Sequence, residues 1–165
     1  MDNFFEIFLK SELKDILVSG YIECDEITIF KPMYDRLYFV FEETILEFGA
    51  NSFWSIDVRA IKKIEPWFEV EEDDIFGVSS IYSQCFSTEL SIRALSLCYY
   101  IDPTNADVLF FCLNYSIGER CKSLFINPKN TFGFSFSDSE DEEDAWLWEA
   151  HAAKIPIRKE VKSAC

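Results

Sequence analysis

Hydrophobic positions near the start of the chain recur at intervals of three and four: Phe5, Phe8, Leu9, Leu13, Ile16 and Leu17. That spacing predicts an amphipathic helix of about four turns, capped by Asp2 or Asn3 and stopped by Gly20. Glu6 and Lys10 add an i,i+4 pair on its outer face. From Tyr21 the period changes to two. Ile27 and Ile29, then Leu37, Phe39 and Phe41, then Ile45, Leu46 and Phe48 lie in β-branched and aromatic runs. These predict antiparallel strands, interrupted at Lys31-Pro32 and at Gly49-Ala50-Asn51. Residues 53–67 fit two descriptions. Ile56, Ala60, Ile61 and Ile64 suit a short helix, whereas Ile61-Lys62-Lys63-Ile64 can bridge two strands, and Pro66 ends either one.

Residues 88–101 alternate through Leu90, Ile92 and Ala94, slip by one, and resume at Leu95, Leu97, Tyr99 and Ile101, the pattern of a strand with a bulge. Asp102-Pro103-Thr104-Asn105 turns the chain. Strands over 108–115, 123–126 and 131–136 complete a meander, joined at Ile117-Gly118-Glu119-Arg120 and at Asn127-Pro128-Lys129-Asn130. Ser137 or Ser139 can cap a final helix over 141–153 whose acid-rich first turn suits the positive end of the helix dipole, and Pro156 closes it. The expected fold is α+β: a mainly antiparallel β-sheet of about six to eight strands with an N-terminal amphipathic helix and a C-terminal acidic helix. Residues 1–153 read as one domain, residues 154–165 as a frayed basic tail carrying Arg158, Lys159 and Lys162, and no repeat is visible along the chain.

Composition sharpens this picture. With 165 residues, 49% of them apolar and 17 of them Phe, the chain can bury a real core without disulfide or metal staples. The six cysteines (Cys24, Cys85, Cys98, Cys112, Cys121 and Cys165) form no C-x-x-C pair, so they read as reduced thiols acting as small hydrophobes. The first 14 residues lack the basic start and charge-free run of a secretory signal, and no apolar stretch reaches the roughly 18 residues that span a bilayer. A cytoplasmic protein without membrane contact is the expectation.

Charge matters more. Thirty acids against 15 bases leave a net charge of −15, which opposes binding to nucleic-acid phosphates. Two short stretches supply most of the excess. Residues 65–86 carry a net −6 in Glu65, Glu69, Glu71, Glu72, Asp73 and Asp74, interleaved with Trp67 and Phe68. Residues 138–150 carry a net −7 in Asp138, Glu140, Asp141, Glu142, Glu143, Asp144 and Glu149, followed in part by Trp146 and Trp148, while the 51 residues between the stretches are neutral overall. Such runs are either solvated faces or docking surfaces for a basic partner, with the aromatics as anchors.

Other chemistry finds little footing. The run 138–144 lacks the glycine and the distant bidentate glutamate of a calcium loop, so no metal is expected. His151 is the sole histidine, and nothing in the spacing pairs it with a thiol. The five glycines make no phosphate loop or dinucleotide fingerprint, so no cofactor is expected. Ser137 and Ser139 each precede Glu by three residues, an S-x-x-E pattern that helix capping also explains.

A small, acidic, aromatic-rich α+β chain that is poor in catalytic residue types and marked by two acid patches resembles the immunity proteins of bacterial polymorphic-toxin and contact-dependent growth-inhibition systems. The likeness is one of type, in size, charge and architecture, so no residue carries over by position. It implies a non-enzymatic inhibitor, monomeric or weakly self-associating, that neutralises a cognate, basic, nuclease-type toxin domain. The expected partner-binding residues are Trp67, Glu69 to Asp74, Asp138 to Asp144, Trp146 and Trp148. Two other classes remain in view: a DNA-mimic inhibitor, which needs carboxylates spaced like phosphates, and a small hydrolase using cysteine or carboxylate chemistry, with His151 the residue to probe.

Overall fold

The computed structural model describes residues 2–24, 27–52, 54–86, 92–130, 132–139, 141–150 and 156–162. In chain order these form α1 (Asp2–Lys10), β1 (Asp15–Cys24), β2 (Thr28–Val40), β3 (Ile45–Ala50), β4 (Ile56–Ile61), β5 (Ile75–Ser80) and α2 (Tyr82–Phe86). There follow β6 (Arg93–Ile101), β7 (Val108–Ile117), β8 (Arg120–Asn130), β9 (Gly133–Ser137), α3 (Asp141–Ala150) and β10 (Ile157–Lys162). The protein is mostly β-sheet with few helices.

The wiring repeats. β1 to β4 form an antiparallel meander, and β5 returns to pair with β1, giving a first sheet ordered β5-β1-β2-β3-β4. β6 to β9 do the same, and β10 returns to pair with β6, giving a second sheet ordered β10-β6-β7-β8-β9. Each half begins with a helix, and each helix packs across the divide, α1 against β6 and α2 against β1. The sheets join where Ile56 of β4 meets Val108 of β7 and where Tyr34 of β2 meets Gly133 of β9, which closes a barrel. Gly133 is required at that seam. Its φ is +94°, and any side chain would run into the backbone of Tyr34 and Asp35.

The core lies between the sheets and draws on both. Phe5 and Phe8 of α1 enter it, with Phe5 stacked 4.5 Å from Tyr99 and 5.6 Å from Phe111, and Phe8 meeting Phe39, Phe41 and Phe48 edge-on. Phe48 and Phe111, one from each sheet, pack 5.3 Å apart. From α2, Phe86 meets Tyr115 at 4.9 Å. Offset and edge-on aromatic pairs of this kind add about 0.5–1.5 kcal/mol each beyond the area they bury.

Several expectations need correction. The N-terminal helix ends at Lys10, not at Gly20. Ile16 and Val18 are fully buried with Leu17 between them on the other face, so the period there is two, and β-branching favours the strand. Gly20 sits inside β1 at a register shift opposite β2, where a Cβ would collide with the carbonyl oxygen of Lys31. Lys31-Pro32 does not break β2, because Pro32 pairs with Gly20 at that shift. Residues 56–61 form a strand rather than a helix. The segment 127–130 remains within β8, with the irregularity expressed as a register shift between Asn127 and Asn130. The bulge expected near Ala94 is present, as a register shift between Ala94 and Ser96. The basic tail is not frayed: residues 157–162 form β10, paired with β6 from Ile157 opposite Ile101 to Lys162 opposite Ser96.

Candidate functional site

Each acid cluster occupies the long connection that leads into its sheet's returning fifth strand. Residues 62–74 link β4 to β5, and residues 138–156 link β9 to β10. The first connection lies on β1 and β2 through Trp67, and the second on β6 and β7 through Trp146.

The first connection is fastened by Trp67. Its indole Nε1 donates to Ser19 Oγ at 3.0 Å, and the Arg36 guanidinium lies 4.8 Å from its ring centre, a cation–π arrangement. Phe68 meets Trp67 edge-on at 5.2 Å and reaches Phe76 of β5 at 6.0 Å. Trp67 is thus half-buried and engaged in holding the segment against β1 and β2. With the segment held, Glu69, Glu71, Glu72 and Asp73 stand in solvent and Asp74 is partly exposed. A turn bonded from Asp74 N to Glu71 O at 3.1 Å folds them inward. Glu23, Glu69, Glu71, Asp73 and Asp74 rim a cleft of about 420 Å³ whose apolar lining is Tyr21, Met33, Phe68 and Val70. One cation balances part of this charge, Lys31 at 3.3 Å from Glu23.

The second connection is built differently. Ser139 starts α3, accepting from Asp141 N at its Oγ (3.3 Å) and from Glu142 N at its carbonyl (3.1 Å). Trp146 is buried, stacked 4.8 Å over Phe110 and 5.0 Å from Tyr100. Glu143 accepts the Tyr100 hydroxyl at 2.7 Å and lies 3.5 Å from Arg158 Nε, so one carboxylate ties α3 to both β6 and β10. Burial and that same carboxylate push the Tyr100 phenol well above its ordinary range. Trp146 and Glu143 are therefore parts of the packing rather than exposed contacts. Trp148 is 84% exposed, and Asp141 and Asp144 face solvent. Asp138 lies 3.7 Å from Lys122. Glu140 falls outside the described residues.

The buried thiols among the described residues are not activated as nucleophiles. Burial pushes the Cys85 thiol up to about 12, and burial with nearby negative charge does the same to Cys112, so both stay protonated at neutral pH. Cys24 and Cys121 are exposed, while His151 and Cys165 lie outside the described residues. Among the described residues no group of three or more His, Cys, Asp or Glu side chains converges as a metal site. Likewise, no helix among them is long and apolar enough to cross a membrane.

Sequence reasoning missed two contributors. Tyr21, Glu23 and Met33 come to the acidic cleft from the β1–β2 hairpin, and only the packing of the segment 62–74 on those strands brings them there. Glu47 sits between Leu46 and Phe48 in a run that reads as core. Strand alternation turns its side chain to the outer face, where it is nonetheless buried. No protein-family model, curated protein or solved structure matches this chain.

Proposed function

We propose that the protein works by binding, as a neutralising inhibitor of a basic protein partner, and that a nuclease-type toxin domain is the kind of partner it fits. The supporting observation is the acidic cleft beside Trp67. Five carboxylates border an apolar floor there, which offers a lysine or arginine of the partner both charge and a surface for its aliphatic stem. A nuclease presents a cationic face to phosphates, so an acidic inhibitor is steered toward it, at rates up to about 10⁸–10⁹ M⁻¹s⁻¹ at low salt. In this reading α3 supplies a secondary contact through Trp148, Asp141 and Asp144, and the complex forms in the cytoplasm without cofactor or metal.

The test is capture of the product of the neighbouring upstream gene at low and high salt, with nuclease activity measured in the captured complex. Stoichiometric, salt-sensitive capture with loss of activity is the expected result. The triple change Glu69→Lys, Glu71→Lys and Asp73→Lys is expected to weaken capture by at least tenfold, and Asp141→Lys with Asp144→Lys by less. Equal affinity for the triple variant and the unaltered protein would remove the cleft from the interface.

A further inference from the structure

On the other side of Trp67 lies a pocket of opposite sign. It occupies the outer face of β2, β3 and β4, has a volume of about 570 Å³, and is lined by Arg36, Arg59, Lys62 and Lys63 against Glu47 and Glu65. Four of the chain's 15 cationic side chains thus gather at one concavity in a protein that carries 30 carboxylates.

Glu47 organises the pocket. Its side chain is 8% exposed, and its Oε1 accepts from Arg36 Nη1 at 2.9 Å and from Arg59 Nε at 2.8 Å. A single carboxylate oxygen therefore draws two guanidiniums together and cancels one of their two charges. A guanidinium has five N–H donors, so both arginines keep donors to spare. Arg59 is held firmly as a cation, since its bond to Glu47 raises its pKa further, and its side chain is 61% exposed. Arg36 is fixed from behind by the Trp67 ring. Lys63 lies 3.5 Å from Glu65, an exposed pair that water and salt screen, and Lys62 has no carboxylate partner among the described residues. The lining carries a net charge of +2.

Stability does not call for this arrangement. Burying the Glu47 carboxylate costs desolvation that an apolar side chain avoids. The second sheet shows that this wiring accepts the apolar solution, because Cys112 and Phe125 lie directly opposite each other on its outer face and are buried under α3. The first sheet keeps ions there instead and has no helix covering them.

We propose that this pocket binds a phosphate-class dianion, free or as the phosphate group of a small molecule, with Arg59, Arg36 and Lys62 as its donors. A net +2 lining matches two negative charges, and guanidinium forks suit the paired oxygens of a phosphate. The volume exceeds that of the anion itself and leaves room for an attached group. The surplus negative charge elsewhere is screened beyond about 8 Å at physiological ionic strength, so it does not cancel the field inside the pocket.

Isothermal titration of the purified full-length protein with inorganic phosphate, pyrophosphate, a phosphate monoester and acetate, at constant ionic strength, tests the assignment. Saturable one-to-one binding of the phosphate-class ligands, at least tenfold tighter than acetate, is expected. Lys62→Gln, at an exposed side chain, is expected to weaken binding at least threefold with unchanged thermal melting, and Arg59→Gln to weaken it at least threefold with a lowered melting temperature because Glu47 keeps a single guanidinium, whereas Asp141→Asn on the other sheet leaves binding unaltered. Tighter binding of the monoester than of inorganic phosphate identifies a small molecule as the source, and equal binding identifies the free anion. Absence of saturable binding, equal affinity for acetate, or indifference to both substitutions would overturn the proposal.

Discussion

The two sheets share one wiring diagram and treat their outer faces in opposite ways. On the first sheet a row runs Ser80, Leu17, Tyr38, Glu47, Arg59 across five strands, and its last two members form an ion triad with Arg36, which lies against a half-buried Trp67. On the second the row runs Glu160, Cys98, Cys112, Phe125, Ser137, and its centre is apolar beneath a buried Trp146. Each tryptophan is delivered by the connection into the fifth strand, and each connection is acid-rich. The difference lies in what the tryptophan does. Trp146 closes a second hydrophobic cluster with Tyr100, Phe110, Cys98, Cys112 and Phe125, while Trp67 divides an acidic cleft from a basic pocket. One face serves stability and leaves little chemistry exposed. The other accepts less efficient packing and displays charge of both signs.

The largest expected effect tests the stabilising face. Trp146→Ala removes the ring stacked on Phe110 and should cost about 3–5 kcal/mol, the range for emptying a buried aromatic site. At roughly 2–4 °C per kcal/mol for a domain of this size, calorimetry should show melting lowered by roughly 6–20 °C. A change under about 1 kcal/mol would mean that α3 is not a structural cover. A smaller effect is expected at the charged face. Glu47→Ala leaves two guanidiniums without their shared acceptor and should cost about 1–3 kcal/mol in urea denaturation, at the low end because Arg59 is well solvated. The combined change of Glu47→Leu, Arg36→Met and Arg59→Met should restore stability to the starting level or above it, as apolar replacement of buried ion groups often does. Failure of that rescue would erase the contrast between the faces.

The smallest effect appears only in alkali. Cys112 ionises near its ordinary value when unfolded but is pushed up to about 12 in the folded protein, chiefly by burial on the second sheet. A raised folded-state value gives stability that is fully present below pH 9 and is lost as pH climbs from about 9 toward 12, because the unfolded chain releases the proton first. Cys112→Ala should make the decline in stability between pH 9 and 11 shallower. In the same range a soluble alkylating reagent should modify Cys24 and Cys121 well before Cys112.

Legibility in the sequence followed the strength of local periodicity. The meander from Val108 to Ser137 was readable in outline because its strands are dense in β-branched and aromatic residues and Gly118 marks the first turn, although the break expected at 127–130 lies inside β8. The register shift beside Leu95 was readable because the alternation itself slips by one. β10 was not, since its residues Ile157, Arg158, Lys159, Glu160, Val161 and Lys162 lie at a sheet edge where charge is tolerated, so no buried face imposes a pattern. The helix over-extended in prediction because Leu13, Ile16 and Leu17 continue a spacing of three and four by coincidence, and only long-range pairing with β2 and β5 separates strand from helix there. The duplication of wiring is equally silent, because it repeats connections and not residues. At the candidate site the acids were evident as a charge run. Their union with Tyr21, Glu23 and Met33, and the existence of the basic pocket, depend on strands far apart in sequence.

The sharing of helices between the halves bears on how the chain acquires its shape. α1 serves both, since Phe8 packs on Phe39, Phe41 and Phe48 of the first half while Phe5 stacks on Tyr99 and Phe111 of the second, so the core of β1 to β4 is only partly built until β6 and β7 exist. A ribosome-bound N-terminal half therefore lacks part of its native core. The barrel must form late and all together, and it should come apart as one cooperative unit and not sheet by sheet.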